Sequence, residues 1–422
     1  MAYTETTQTS WGSRLGNAFK GIVTGIVLIL VGTGLLYWNE GRTVKTGGAI
    51  NEARMVTVKA GDISKIDPAL AGKVVYAVGR ADTQDVLEDP IFGAKATAIN
   101  ISRKVEYYQW VEHSKQETRK KVGGGEETVT TYTYDMEWVT EPIASGSFKD
   151  PDYQGRNKVL AQYKDETLYA PNVTFGAYKL PDFLKRAIGG RIPLEVRMDE
   201  ARKKSVFEGL SAANKPASEL PVSLDTVSLD SASLAAARSA LPAATPDQYI
   251  HEQGNTLYLG KNPGAPEVGD IRVTFMQTPP ADVSIIAQVI GDTFEAFTAS
   301  NGYTFSRLEM GTASQEKMFA GAESDNAIMA WILRVVGLLV VISGIGAVLR
   351  PLSVIADVLP ILGDIVGAGT GLVAFLLGLA WSLLVIAVAW IRFRPILAAA
   401  LLGGVAILVG ITYMRGRKSK AA

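Results

Sequence analysis

Two apolar zones bracket a long polar stretch: an uncharged run at residues 21–38 and a group of apolar runs between residues 327 and 414. A run of about 20 apolar residues matches the roughly 30 Å of hydrocarbon in a bilayer. A chain built this way is expected to fold as an integral membrane protein. The intervening stretch of about 290 residues then forms one large domain held against the membrane.

Tyr37 and Trp38 close the first run where an interfacial aromatic belt is expected, and Arg14 and Lys20 precede it, which favours a cytoplasmic segment at residues 1–20. No small-x-small cleavage site follows before Asn39-Glu40-Gly41-Arg42, so residues 21–38 read as a retained anchor. Residues 327–349, 367–391 and 395–414 read as three more spans, followed by a basic cytoplasmic tail at residues 415–422. Four spans with both termini cytoplasmic place residues 39–326 on the non-cytosolic side. Arg392 and Arg394 then fall on the outer side, against the usual bias of basic loops. The expected fold class is a membrane protein of α+β type: four transmembrane helices, with a large β-rich domain inserted between the first and the second.

Within the second span, Arg334 sits near the start, where a long side chain can snorkel to the interface. Residues 350–366 carry Arg350, Asp357 and Asp364 at seven-residue steps, a spacing that puts them on one stripe of an interfacial or re-entrant helix interrupted by Pro360. A solvated stripe is preferred there to a proton or ion relay. Gly363, Gly367 and Gly371 follow at four-residue steps, and Gly21 and Gly25 repeat the spacing. Such a face lets another helix approach closely, within the chain or from a second copy. These residues form the candidate membrane-interface and helix-packing set. Membrane lipids and a homo-oligomer are the expected partners, with an unidentified membrane or extracytoplasmic protein.

The large domain reads mainly as strands: residues 74–78, 271–275 and 283–290 are rich in β-branched side chains and bounded by turn residues. A long hairpin is expected with arms at residues 99–112 and 128–139, and a charged loop at residues 115–127 carrying Gly123-Gly124-Gly125. Tyr108, Trp110 and Trp138 mark a candidate domain surface. Aromatic residues at period two more often form one packed face of a sheet than a ligand platform. Helical patterns occur at residues 198–208, 231–241 and 304–320, and the Ser, Pro and Ala-rich residues 211–246 read as an exposed insertion.

Forty-two basic residues balance 42 acidic ones, and no basic block is interleaved with aromatics, which argues against nucleic acid as a partner. The absence of Cys removes disulfides, thiolate metal sites and a cysteine nucleophile. His113 and His251 are the only histidines, and neither sits in a His-Glu-x-x-His or serine-triad context. Gly123-Gly124-Gly125 lacks the Lys-Ser/Thr of a phosphate loop, and Asp150 and Asp152 lack the spacing of a Ca²⁺ loop. Asn100 and Asn172 each open a glycosylation triplet that matters only in a secretory pathway. A non-enzymatic protein without a metal or cofactor is expected.

Several stretches resemble the LUMA family, the transmembrane protein 43 family: Asn39-Glu40-Gly41-Arg42 after the first span, Asp89-Pro90-Ile91-Phe92-Gly93, the aromatic strands at residues 105–112 and 132–138, and residues 350–378. The resemblance implies an integral membrane protein that organises membrane complexes. Eukaryotic members sit in the endoplasmic reticulum and inner nuclear membrane, self-associate and bind lamina-associated partners. The Cys-free chain, its Ala-rich insertion and its short tail suggest a bacterial member, in the cytoplasmic membrane, to which the lamina-associated partners do not transfer. The resemblance supplies no catalytic residues.

Overall fold

The computed structural model describes residues 3–213, 245–396 and 398–399. It has a β-rich domain and three helices long and apolar enough to cross a membrane. The helices are α1 (Trp11–Val56), α3 (Gln315–Ala356) and α4 (Pro360–Phe393), while α2 (Glu200–Ala213) belongs to the domain. The expected span at residues 395–414, the tail, and the helical pattern at residues 231–241 lie wholly or almost wholly outside the described residues.

The first helix is far longer than its apolar run. Nothing in Asn39-Glu40-Gly41-Arg42 breaks a helix, so α1 continues to Val56, where Thr57 turns the chain into extended backbone. At its start, Ser10 accepts from the Ser13 N–H, and Ser314 does the same for the Lys317 N–H at the start of α3. The helix expected over residues 304–320 begins only at Gln315, because residues 307–310 pair as a strand along Ala281–Ile290. Tertiary pairing overrides local propensity there.

Eight strands frame the domain: β1 (Tyr3–Thr9), β2 (Val74–Asp82), β3 (Asn100–Lys120), β4 (Glu126–Val139), β5 (Ile250–Gln253), β6 (Thr256–Leu259), β7 (Ile271–Thr278) and β8 (Ala281–Ile290). One sheet runs in the order β1-β4-β3-β7-β6-β5, and a second is centred on the antiparallel pair β2-β8. Alternation along β2 explains the layering. Val75 and Ala77 join Val105, Val273 and Phe275 in the core between the sheets, while Val74 and Tyr76 turn to the other side and pack with Ile50, Ala53, Met318 and Phe319 of α1 and α3. The central strands of the second sheet are thus buried on both faces, which is why β2 opens on an unbroken apolar run. Burying a side chain of this size contributes about 1.5–3 kcal/mol, so the last turns of α1 and the first turns of α3 are part of the domain core. They join it to the bundle without a flexible link.

The hairpin also exceeds its sequence boundaries. Pairing continues to Lys120↔Glu126, so most of the expected charged loop is strand, and only residues 121–125 turn. Opposite charges at Arg119↔Glu127 and Lys120↔Glu126 face each other across the ladder and support the extension. Seven residues at the N-terminal end, Tyr3–Thr9, add β1 to this ribbon alongside β4. Their Thr-rich alternation was the available signal.

Within the bundle, α1 and α3 run antiparallel and touch through glycines. A Cβ at Gly25 would lie 2.6 Å from the Gly344 carbonyl oxygen, and one at Gly32 would lie 2.7 Å from Val341. A side chain at Gly25 therefore has to push the helices apart. Gly25→Val is expected to destabilise the protein by about 1–3 kcal/mol in thermal unfolding of the detergent-solubilised chain. Gly21→Val, at a position with no atom within 4 Å, serves as the control.

Candidate functional site

Charged side chains gather at the two ends of the helical bundle. At the domain-proximal end, Glu40 on α1 is fully buried and accepts from Arg334 Nε at 2.6 Å, Arg334 Nη2 at 2.9 Å and Trp390 Nε1 at 2.8 Å. One carboxylate thereby ties α1, α3 and α4 together. The neighbouring turns add Asn39 Nδ2 donating to the Ala330 carbonyl (3.0 Å) and Asn326 Nδ2 donating to the Thr43 carbonyl (2.9 Å). Trp331 lies beside this site with the Arg334 guanidinium 4.9 Å from its ring. Rather than snorkelling alone, Arg334 is held bidentate by Glu40. That geometry is the strong form of a charge-assisted pair.

At the opposite end stands Asp357, whose side chain is 2% exposed. It accepts from Arg14 Nη2 at 2.6 Å and Lys120 Nζ at 2.7 Å, and the same Lys120 ammonium reaches Asp364 at 2.8 Å. Burial pushes the Asp357 carboxyl upward, but Lys120 and Arg14 outweigh it and hold the group below its ordinary value. Burial likewise pushes Lys120 down, and the two aspartates carry it above its ordinary value. Trp11 Nε1 donates to the Val354 carbonyl at 2.9 Å, and the Gly123 N–H donates to the Val358 carbonyl at 3.1 Å. The tip of the hairpin, the start of α1 and the α3–α4 corner close into one clasp.

Residues 350–366, expected as an interfacial or re-entrant segment interrupted by Pro360, are not one continuous helix: α3 ends at Ala356 and α4 begins at Pro360. Arg350 lies in the last turns of α3, Asp357 in the corner, and Asp364 in α4, so they are not one stripe. Pro360 opens α4, where a proline is tolerated because its missing N–H would have no helical partner. Gly363, Gly367 and Gly371 all fall within α4. A Cβ at Gly367 would meet only Ser353 Cβ at 4.0 Å, and one at Gly371 nothing within 4 Å, so neither makes a close helix approach among the described residues. The close contact of α4 on α3 is instead at Gly378 against Ile342, and on α1 it is Phe393 against Gly41.

In the domain, Tyr108 and Trp138 are cross-strand partners with ring centroids 5.2 Å apart, and Trp110 packs edge-on against Tyr153 at 4.9 Å. The Arg272 guanidinium covers Trp138 at 4.5 Å. These aromatics are half-buried and occupied by one another. His113 meets Glu137 at 2.9 Å, and His251 meets the Gly260 carbonyl at 3.1 Å.

Sequence reasoning singled out Arg334, Asp357 and Asp364 but not Glu40, Trp390, Arg14 or Lys120. A signal for Glu40 was available: an acid directly after one span and an arginine at matching depth in an antiparallel partner neutralise each other. The Lys120 contact spans 237 residues of sequence and had no local sign.

A family model described as Transmembrane protein 43 matches residues 107–395, more than two thirds of the chain. The chain is 28% identical over 405 residues to Transmembrane protein 43 of Rattus norvegicus, covering 94% of this chain and 90% of the relative. To that of Homo sapiens it is 28% identical over 419 residues, covering 96% and 93%. Against the Transmembrane protein 43 homolog of Drosophila melanogaster it is 23% identical over 394 residues, covering 90% of each. No solved structure matches the chain.

Proposed function

We propose that this chain, which belongs to the transmembrane protein 43 family, is a non-enzymatic membrane scaffold. One observation carries the reading: α1 and α3 pass unbroken from the apolar bundle into the domain core, so the domain's position relative to the bundle is fixed. A protein built to present a surface at a set place on a membrane needs that stiffness. In this reading four spans cross the bilayer, with the domain on the non-cytosolic side of a bacterial cytoplasmic membrane. The Gly371 face, open among the described residues, and the exposed apolar side chains of α4 provide the surface for a second copy or a partner.

A channel or transporter component is the competing reading, and the state of the charges disfavours it. Arg334 is closed by Glu40, and Asp357 is closed by Arg14, so each acts as a tie between elements. Crosslinking in native membranes followed by mass spectrometry is expected to recover self-links through α4 or links to a membrane partner. A strictly monomeric, partner-free protein after mild extraction would overturn the scaffold.

A further inference from the structure

Among the described residues, Arg42 and Arg392 at the domain-proximal end of the bundle make no ion pair, and Arg394 shares the charge of Glu40 with Arg334. The Phe393 ring touches Gly41 and lies 5.3 Å from Tyr37, which brings the end of α4 beside Arg42. Arg392 lies 5.9 Å from the Phe393 ring, and Arg394 lies 6.0 Å from the Trp390 ring. Arg42 Nε is buried without a hydrogen-bond partner among the described residues. Its Nη2 makes a long contact to the Thr43 hydroxyl at 3.4 Å.

The one carboxylate at this level is Glu40, and Arg334 and Trp390 already occupy it. Four arginines therefore stand against one acid. The site is also placed at headgroup depth, because Tyr37, Trp38, Trp331 and Trp390 surround it as an aromatic belt while Val27, Leu30 and Val31 expose apolar side chains deeper in the bundle. Uncompensated arginines at that depth need an anion, and guanidinium groups match phosphate oxygens well.

We propose that Arg42, Arg392 and Arg394 bind the phosphate of an anionic phospholipid headgroup at the foot of the domain. The site explains why arginines stand at this end of α4 although basic residues usually favour the other side of the membrane. The aromatic belt provides walls for the glycerol and upper acyl chain, and the arginines provide the charge. Lipid bound there bridges α1 and α4 at the domain-proximal end of the bundle.

The test is native mass spectrometry of the full-length protein in detergent, titrated with phosphatidylglycerol or phosphatidylcholine. Phosphatidylglycerol is expected to stay bound at collision energies that strip phosphatidylcholine. Each Arg→Gln change is expected to weaken it about fivefold, following roughly 1 kcal/mol per basic residue near an anionic surface. Arg392→Gln, at an exposed position, keeps the test valid if Arg42→Gln impairs folding. Arg350→Gln at the opposite end should change nothing. Equal retention of the two lipids, unchanged binding by Arg392→Gln and Arg394→Gln, or displacement of the lipid by millimolar inorganic phosphate would each overturn the proposal, the last by showing a site for the free ion.

Discussion

Arg334→Leu is expected to destabilise the bundle by about 3–5 kcal/mol, the range for removing one partner from a buried ion pair. Glu40 is fully buried, so without Arg334 its carboxylate keeps one hydrogen-bond donor, the Trp390 indole, and only the more distant charge of Arg394. The cost arises from that stranded charge more than from the lost attraction. Three variants separate the two contributions. Glu40→Gln strands Arg334 instead, and is expected to be less severe because the guanidinium is 14% exposed and can reach toward the interface. The double variant Glu40→Gln with Arg334→Leu removes both charges and is expected to recover most of the loss. Trp390→Phe removes one donor of three and is expected to cost about 1 kcal/mol. Thermal unfolding of the detergent-solubilised chain measures all four. If the double variant were as unstable as Arg334→Leu alone, the pair would not be the source of the effect.

The apolar runs were legible because lipid imposes a length and a composition, and three of them appear as helices at their expected places. The helix ends were not, since the last turns of α1 are held by packing against β2 and against Met318 and Phe319 of α3, the latter far away in sequence. A similar limit applied to the charges. Arg334, Asp357 and Asp364 stand out against apolar surroundings, whereas Arg14 and Lys120 lie in polar segments where a basic residue carries no signal. The aromatic hairpin shows the opposite case. Period-two alternation marked both arms as strands, and Tyr108 and Trp138 pair across the ladder, whereas the register, set by the short turn at residues 121–125, was hidden by charged residues that read as loop. Glycine spacing was the weakest guide. Four-residue steps recur in α4 at Gly363, Gly367 and Gly371, yet the close approach of α1 and α3 uses Gly25, Gly32, Gly337 and Gly344. Spacing says that a smooth face exists, and only the partner's position says whether it is used.

Spin labels at Val122→Cys and Leu359→Cys are expected to lie more than about 30 Å apart when the protein crosses a continuous bilayer, the thickness of the hydrocarbon. Both positions are exposed, and the Cys-free chain adds no background. Two energies compete. With the clasp closed, Val122 sits beside the α3–α4 corner, since the adjacent Gly123 N–H donates to the Val358 carbonyl at 3.1 Å. The ribbon then reaches from the domain to the far end of the bundle, and its paired length of 14 residues is about 45 Å at the usual rise per residue. Glu112, Lys115, Glu117, Arg119, Lys120, Glu126, Glu127 and Asp135 lie along that path. Each costs about 2.5–3.5 kcal/mol at the centre of a bilayer, so even a few of them at depth exceed 10 kcal/mol. Against this stand the ion pairs of Lys120 with Asp357 and Asp364 and of Arg14 with Glu126, together with the β1 ladder, whose seven cross-strand pairs contribute roughly 0.2–1 kcal/mol each. Lipid exclusion wins the comparison wherever lipid surrounds the bundle, so in nanodiscs the clasp opens and the ribbon stays with the domain. Asp357 then keeps Arg14, and Asp357→Asn is expected to leave the label separation unchanged. A separation under about 20 Å in nanodiscs, lengthened by Asp357→Asn, would mean that the ribbon passes the bundle through water. The domain and residues 3–9 would then share one side of the membrane, and the four-span arrangement with its non-cytosolic domain would fall.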